Sequence, residues 1–262
     1  MMSNIELVRP IVKVGNSAGV ILPRDWLHGT AKIELVKKPV NLEEEILKVL
    51  RDYLKEIKGI YLVGSYARNE QTDKSDVDLL VITNALTKRI ESGFYNITMV
   101  KDEDIPSILE NNIFPLLPMI LEARPILNKE LLDKYKYMKL TKKNLSFHLE
   151  TTRSAMGIVR LLIKEAKEGK GKIRDGVAYS LILRLRGVYI VDCLIKKKKW
   201  TNRGFLSLIK RIAGSLSAYQ GYVRSKSDKT EKEELDSSEA ERLYDYIISK
   251  LEEQEKWAKR ER

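Results

Sequence analysis

The sequence predicts an α+β protein, and three observations carry that prediction. Residues 8–36 alternate apolar and polar positions around a Gly-Asn-Ser turn. Residues 59–82 hold two short apolar runs separated by a Gly-Ser turn and a polar stretch. Residues 145–259 carry the three-to-four spacing of helices joined by short links. The expected parts are a small β-hairpin segment over 1–39, a mixed-sheet core over 40–138 and an all-helical bundle over 139–262.

In the first part, the alternation in Ile11-Val-Lys-Val and Val20-Ile-Leu predicts strands, with turn chemistry at Gly15-Asn16-Ser17. Pro23 is placed to open a short helical turn over Arg24 to Leu27, and Ala31 to Val36 reads as a further strand. Pro39 then breaks the chain. Asn41 caps a helix whose first turn carries Glu43, Glu44 and Glu45, where the helix dipole favours acids. Ile46, Leu47, Leu50 and Leu54 form its apolar stripe.

The most informative stretch is the next one. Gly59 to Val63 and Val77 to Ile82 read as buried strands, joined through Gly64-Ser65, a short polar helix, Ser75 and the pair Asp76 and Asp78. Two residues apart on a strand, the two carboxylates point to one side of the sheet. Such a pair repels, and a divalent cation removes the repulsion; hard oxygen ligands favour magnesium. Gly64 lets the backbone approach a phosphate closely, and Ser65 adds a hydroxyl. The bland alternative is a strand, turn, helix and strand whose aspartates end an exposed loop.

Gly64-Ser65, Arg68 and Ser75-Asp76-Val77-Asp78-Leu79 resemble the nucleotidyltransferase superfamily that includes DNA polymerase beta, and most closely its small minimal members. That resemblance implies a magnesium-dependent transfer of a nucleoside monophosphate from a nucleoside triphosphate, ATP among the donors, to an acceptor hydroxyl on nucleic acid or protein. It assigns Asp76 and Asp78 to Mg2+ and to catalysis. It assigns Gly64, Ser65, Arg68 and Ser75 to the nucleotide, with Arg68 either touching phosphate or ordering the turn.

The family's third carboxylate belongs on a later strand, here Phe94 to Val100, whose alternating positions offer Asn96 and Thr98 instead. Glu91 comes just before that strand and Asp102, Glu103 and Asp104 just after it, so one of them takes the third role or the role is vacant. Residues 106–109 and 113–121 read as partly helical. Arg124 to Leu127 resembles the family's closing strand, with Ala123-Arg124 where the family has glycine after a glutamate.

The segment over residues 1–39, with its Gly15-Asn16-Ser17 turn, apolar strand, Pro23 and short helix, resembles the AbrB/MazE-like swapped hairpin, which implies a homodimer and DNA contact through Lys13 and Arg24. A hairpin used only for dimerisation is the plainer alternative. About 40 residues are short for an independent core, so a second copy makes physical sense.

Helices are expected over Leu145 to Ala166, Asp175 to Ile195, Phe205 to Ala218 and Ser238 to Lys259, as in the helical domain following the minimal and aminoglycoside-type nucleotidyltransferase cores. Arg184 and Arg186 lie in an otherwise apolar helix. They either meet triphosphate or acceptor phosphates or pair with Asp192 or another acid. The run Tyr219 to Lys226, with Arg224 as a nucleic-acid candidate, suits base stacking and equally suits rings packed into the core. His28 and His148 read as ordinary polar positions.

Composition bounds these readings. The chain of 262 residues is 43% hydrophobic and carries a formal net charge of +11. Residues 140–226 hold 20 basic against 5 acidic residues, whereas 40–139 and 227–262 are net acidic. That block suggests nucleic acid or another polyanion as partner. No apolar run approaches the roughly 18–20 residues of a membrane span, and no secretory segment opens the chain. The single cysteine, Cys193, reads as a core residue. A cytoplasmic location and no membrane partner are expected. The rival to an enzyme is a DNA-binding regulator, antitoxin-like, with a degenerate nucleotide-binding core.

Overall fold

The structure is a computed structural model, and it describes residues 7–34, 42–72, 75–169, 171–227 and 232–260. Two compact units are present, Met1–Glu45 and Ile46–Arg262. In the first, β1 (Ile11–Val14) and β2 (Ser17–Val20) form an antiparallel hairpin with Ile11 opposite Val20. Gly15, at φ +57°, supplies the left-handed turn that closes it. A 3-10 turn covers Arg24–Trp26 behind Pro23. Residues 31–34 are not a strand; the remainder of that expected strand and the Asn41 cap lie outside the described residues.

Helix α1 (Leu42–Val49) leads to the sheet. Strands β3 (Ile57–Val63), β4 (Val77–Thr83), β5 (Lys88–Ser92), β6 (Tyr95–Lys101) and β7 (Arg124–Leu127) stand in the order β5-β6-β4-β3-β7. Only the β4–β6 contact is parallel, so the sheet is mixed, as expected. The near-continuous apolar run Ile60 to Val63 buries β3 between β4 and β7. Strand β5 was not expected; it is polar and largely exposed at the sheet edge, so it lacks the apolar signal of a buried strand. Helix α2 (Gly64–Ala67) joins β3 to the loop before β4. Helices α3 (Ile105–Asn111), α4 (Leu116–Glu122) and α5 (Lys129–Tyr135) complete the core.

The C-terminal part holds α6 (Lys142–Glu168), α7 (Asp175–Ile195), α8 (Asn202–Ala213), α9 (Ser217–Lys226) and α10 (Ser237–Arg260). A capping box between Thr141 and Asn144 opens α6. The single helix expected over Phe205 to Ala218 is two, because Gly214 at φ +88° ends α8. The bundle is also not purely helical: β8 (Lys172–Arg174) pairs with β9 (Glu233–Asp236). Side chains of sheet and bundle share one core, in which Val63, Leu80 and Ile120 join Leu149, Leu185 and Leu243. Among the described residues no helix is long and apolar enough to cross a membrane.

Candidate functional site

The site forms where β3 ends beside the start of β4. Val63 stands opposite Asp78 across the antiparallel pair, and Asp78 stands opposite Asn96 across the parallel one. Gly64 follows at φ +68°, and a Cβ built there would fall 2.3 Å from Asp78 Oδ2. Glycine is therefore required twice, for the left-handed backbone and for the carboxylate lying against it. Asp76 sits exposed just ahead of β4, and Asp78 is half-buried. Burial holds the Asp78 carboxyl above its ordinary range. The hydrogen bond from Asn96 opposes that rise, and the charge of Asp76 adds to it. The two aspartates are thus electrostatic neighbours, although Asp76 precedes β4 rather than lying on it with Asp78.

Ser65 is half-buried in the turn, and its carbonyl accepts from the Glu70 amide at 2.9 Å. The Ser75 hydroxyl accepts from the Thr72 amide at 2.9 Å and tightens the loop that delivers Asp76. Arg68 is held by two carboxylates. Its Nε donates to Glu70 at 2.9 Å and its Nη1 to Glu122 at 2.5 Å, with the side chain 13% exposed.

Glu122, the last residue of α4, is the hub that sequence reasoning undervalued. Its Oε1 accepts from the Gly64 amide at 2.7 Å, and its Oε2 accepts from Arg68 and from Trp200 Nε1 at 3.0 Å. Glu70 in turn accepts from the Asn202 amide at 2.8 Å, at the start of α8. The Gly-Ser turn is thereby tied to the helical part by two carboxylates. Only the glutamate preceding Ala123 in the closing-strand text pointed to Glu122; Glu70 and Trp200 gave no signal.

The bundle reaches the site elsewhere too. Lys226, at the end of α9, acts on Asp78 and lowers its proton affinity. Arg186 is exposed and lines a small crevice with Arg68, Tyr189, Trp200 and Asn202. Arg184 is half-buried and donates to Thr151 Oγ1 at 3.4 Å, whereas Asp192 meets Gln254, Lys196 and Lys250. Arg224 spends its guanidinium inside the fold, on the buried Asp175 through two 2.8 Å bonds and on Glu234 at 3.0 Å. Tyr222 stacks on Tyr179 and Tyr219 with centroids 5.3 and 5.9 Å apart. Lys13 and Arg24 are exposed in the N-terminal unit.

The basic block is partly balanced in space. Arg153, Lys167, Lys172, Arg174 and Arg224 each pair with an acid from residues 233–255. Lys196 to Lys199 remain exposed after α7. His148 is buried, with Nε2 donating to Gln254 Oε1 at 3.3 Å, and Cys193 is buried as expected. Among the described residues no group of three or more His, Cys, Asp and Glu side chains is placed to hold a metal ion. Asp76 and Asp78 are a pair of hard oxygen donors, and burial together with the charge of Asp76 works against ionised Asp78, a cost that a dication would offset.

Comparison with known proteins gives three kinds of likeness. Residues 43–173, half of the chain, match the family model of the nucleotidyltransferase domain. Two candidate protein adenylyltransferases of Methanocaldococcus jannaschii are 49% identical over 47 residues and 51% identical over 43. These matches take in 17% and 14% of this chain and 48% and 44% of the relatives, so the chain spans about half the length of the curated relatives it matches. A nucleotidyltransferase-like protein from Exiguobacterium sibiricum aligns at 17% identity and TM-score 0.34 over 82% of this chain and 76% of its own. Spectinomycin adenyltransferase AAD(9) from Enterococcus faecialis, solved with ATP and spectinomycin, aligns at 15% identity and TM-score 0.39 over 82% of this chain and all of its own.

Proposed function

Because the chain belongs to the nucleotidyltransferase family, we propose that it moves the AMP moiety of ATP onto a hydroxyl of a protein acceptor, with Mg2+ as cofactor. The observation that carries this reading is the pairing of Asp76 and Asp78 beside a turn at which only glycine fits. The names of the Methanocaldococcus jannaschii relatives support ATP as donor and protein as acceptor.

Asp76 and Asp78 would hold Mg2+, which when bound neutralises phosphate charge and helps orient the triphosphate. Gly64 leaves room for the phosphates, and Ser65 and Ser75 offer hydroxyls to them. Arg68 fixes the turn through Glu70 and Glu122 and so holds Ser65 in place. Lys226, already within the field of Asp78, offers a cation to the triphosphate from the bundle side.

The test incubates the protein with magnesium, each α-labelled nucleoside triphosphate, and separate protein, RNA and DNA fractions. Label from ATP is expected in the protein fraction and is expected to vanish in the Asp76→Asn, Asp78→Asn double variant. Transfer that persists in that variant sinks the reading.

The N-terminal unit favours a second copy as partner, and with it an AbrB/MazE-like hairpin. Val8, Ile11, Val14 and Ile21 are 72, 49, 56 and 71% exposed there, more apolar surface than so short a hairpin leaves uncovered in water. Lys13 and Arg24 are available for DNA on the same unit. A chain lacking residues 1–39 then elutes as a monomer and keeps its transfer activity; a regulator whose work lies in the hairpin instead loses DNA binding.

A further inference from the structure

We infer that Glu91 is the base that takes the acceptor's proton, in place of the third carboxylate missing from β6; this rests on the transfer reading above. Strand register places it there. Asp78, Asn96 and Glu91 occupy three adjacent strands, with Asp78 opposite Asn96 and Asn96 opposite Glu91. Asn96 Nδ2 lies 3.5 Å from Asp78 Oδ1, so those two side chains share a face. Residues directly opposite in an antiparallel pair put their Cβ atoms about 4.5–5.5 Å apart on one face. Glu91 therefore continues the row, on the far side of Asn96 from Asp78. The Asn96 amide takes up no proton, and a glutamate side chain is long enough to extend past it.

The other acids are spent or misplaced. Asp102 is bound by Lys58 at 2.6 Å and by Tyr135, and Glu103 pairs with Lys101. These two and Asp104 lie at the opposite end of β6, and Asp102 is six residues from Asn96 along the strand register, or roughly 20 Å. Glu122 and Glu70 are saturated by Gly64, Arg68, Trp200 and Asn202. Glu91 is exposed and makes no ion pair among the described residues.

In the step, the acceptor oxygen forms a bond to the α-phosphorus. The bond from that phosphorus to the α,β-bridging oxygen breaks, and pyrophosphate leaves with the electron pair. The hydroxyl proton passes to the Glu91 carboxylate and from there to water.

The test uses the full chain with magnesium, α-labelled ATP and the cell protein fraction, and measures ATP affinity separately by equilibrium dialysis. Glu91→Gln is expected to slow label transfer about 100-fold with ATP affinity unchanged. Adding Asn96→Asp to that variant is expected to restore at least about tenfold of the rate, because a carboxylate returns to the same row. Transfer that the Asp76/Asp78 double variant abolishes but Glu91→Gln leaves intact overturns this inference alone. Loss of ATP affinity in step with transfer, or a loss that Asn96→Asp does not repair, also overturns it. If the unaltered protein transfers no label, the transfer reading falls and this inference falls with it.

Discussion

Glu122 accepts the Gly64 amide hydrogen at 2.7 Å, so the glycine at the centre of the Gly-Ser turn is already held by a carboxylate. The same carboxylate takes Arg68 and the Trp200 indole, and its charge is felt at Asp78. A single residue at the end of α4 thus sets the turn, neutralises the arginine and joins the sheet to the bundle.

Removing it leaves, among the described residues, Arg68 with one partner and the Gly64 amide with none. Glu122→Ala is expected to cost about 3 kcal/mol, the scale for breaking a largely buried pair, since the Glu122 side chain is only 10% exposed. Urea denaturation measures this, and Trp200 emission shifts to the red as its indole loses its acceptor.

Gly64→Ala forces a left-handed backbone on a residue with a Cβ and drives that Cβ into Asp78 Oδ2. The expected penalty is about 1–3 kcal/mol from the backbone alone. Because relief comes by displacing Asp78, label transfer falls further than stability does. A Gly64→Ala variant with normal transfer and a normal urea midpoint contradicts this.

The Asp76→Asn, Asp78→Asn variant is expected to behave in the opposite way. Burial and like charge work against ionised Asp78, so neutralising the pair removes a repulsion and keeps the fold within about 1 kcal/mol. Circular dichroism melts stay in place while transfer is abolished.

Arg224→Ala reports on structure rather than on polyanion binding. Asp175 is 1% exposed and loses both guanidinium bonds, keeping among the described residues the Lys232 amide at 3.0 Å. The expected loss is about 3 kcal/mol. Arg224→Lys recovers part of it, since lysine keeps the charge but not the two-bond geometry. A melt unchanged by Arg224→Ala refutes the structural role.

His148 makes stability depend on pH. Burial pushes its pKa down to about 4, below the ordinary 6.5, with the nearby Arg184 charge acting in the same direction and the Gln254 bond opposing it. The unfolded chain therefore binds a proton between pH 6.5 and 4 that the folded chain refuses, so stability falls as pH drops through that window. The expected contribution lost by pH 5 is about 2 kcal/mol. His148→Gln removes it, and urea midpoints at about pH 7.5 and about pH 5 then differ less than in the unaltered protein.

What the sequence determined by itself is local. Val63, Gly64 and Asp78 are linked by one strand pair and one turn, and Asp76 stands two residues before Asp78 just ahead of β4, so their types and spacing already bring them near one another. The long α7 is likewise written in its own apolar residues. Other features depend on residues far apart in the chain. Glu122 meets Gly64 from 58 positions away and Glu70 meets Asn202 from 132, distances at which no spacing rule operates. Strand β5 is held by its ladder to β6 and not by an apolar pattern, so the row from Asp78 through Asn96 to Glu91 exists only once the strands are ordered. The basic block reads as one field along the chain, yet β9 and α10 fold acids back onto it. Tertiary structure decided these matters because pairing of strands and charges depends on distance in space, which the chain order alone does not specify.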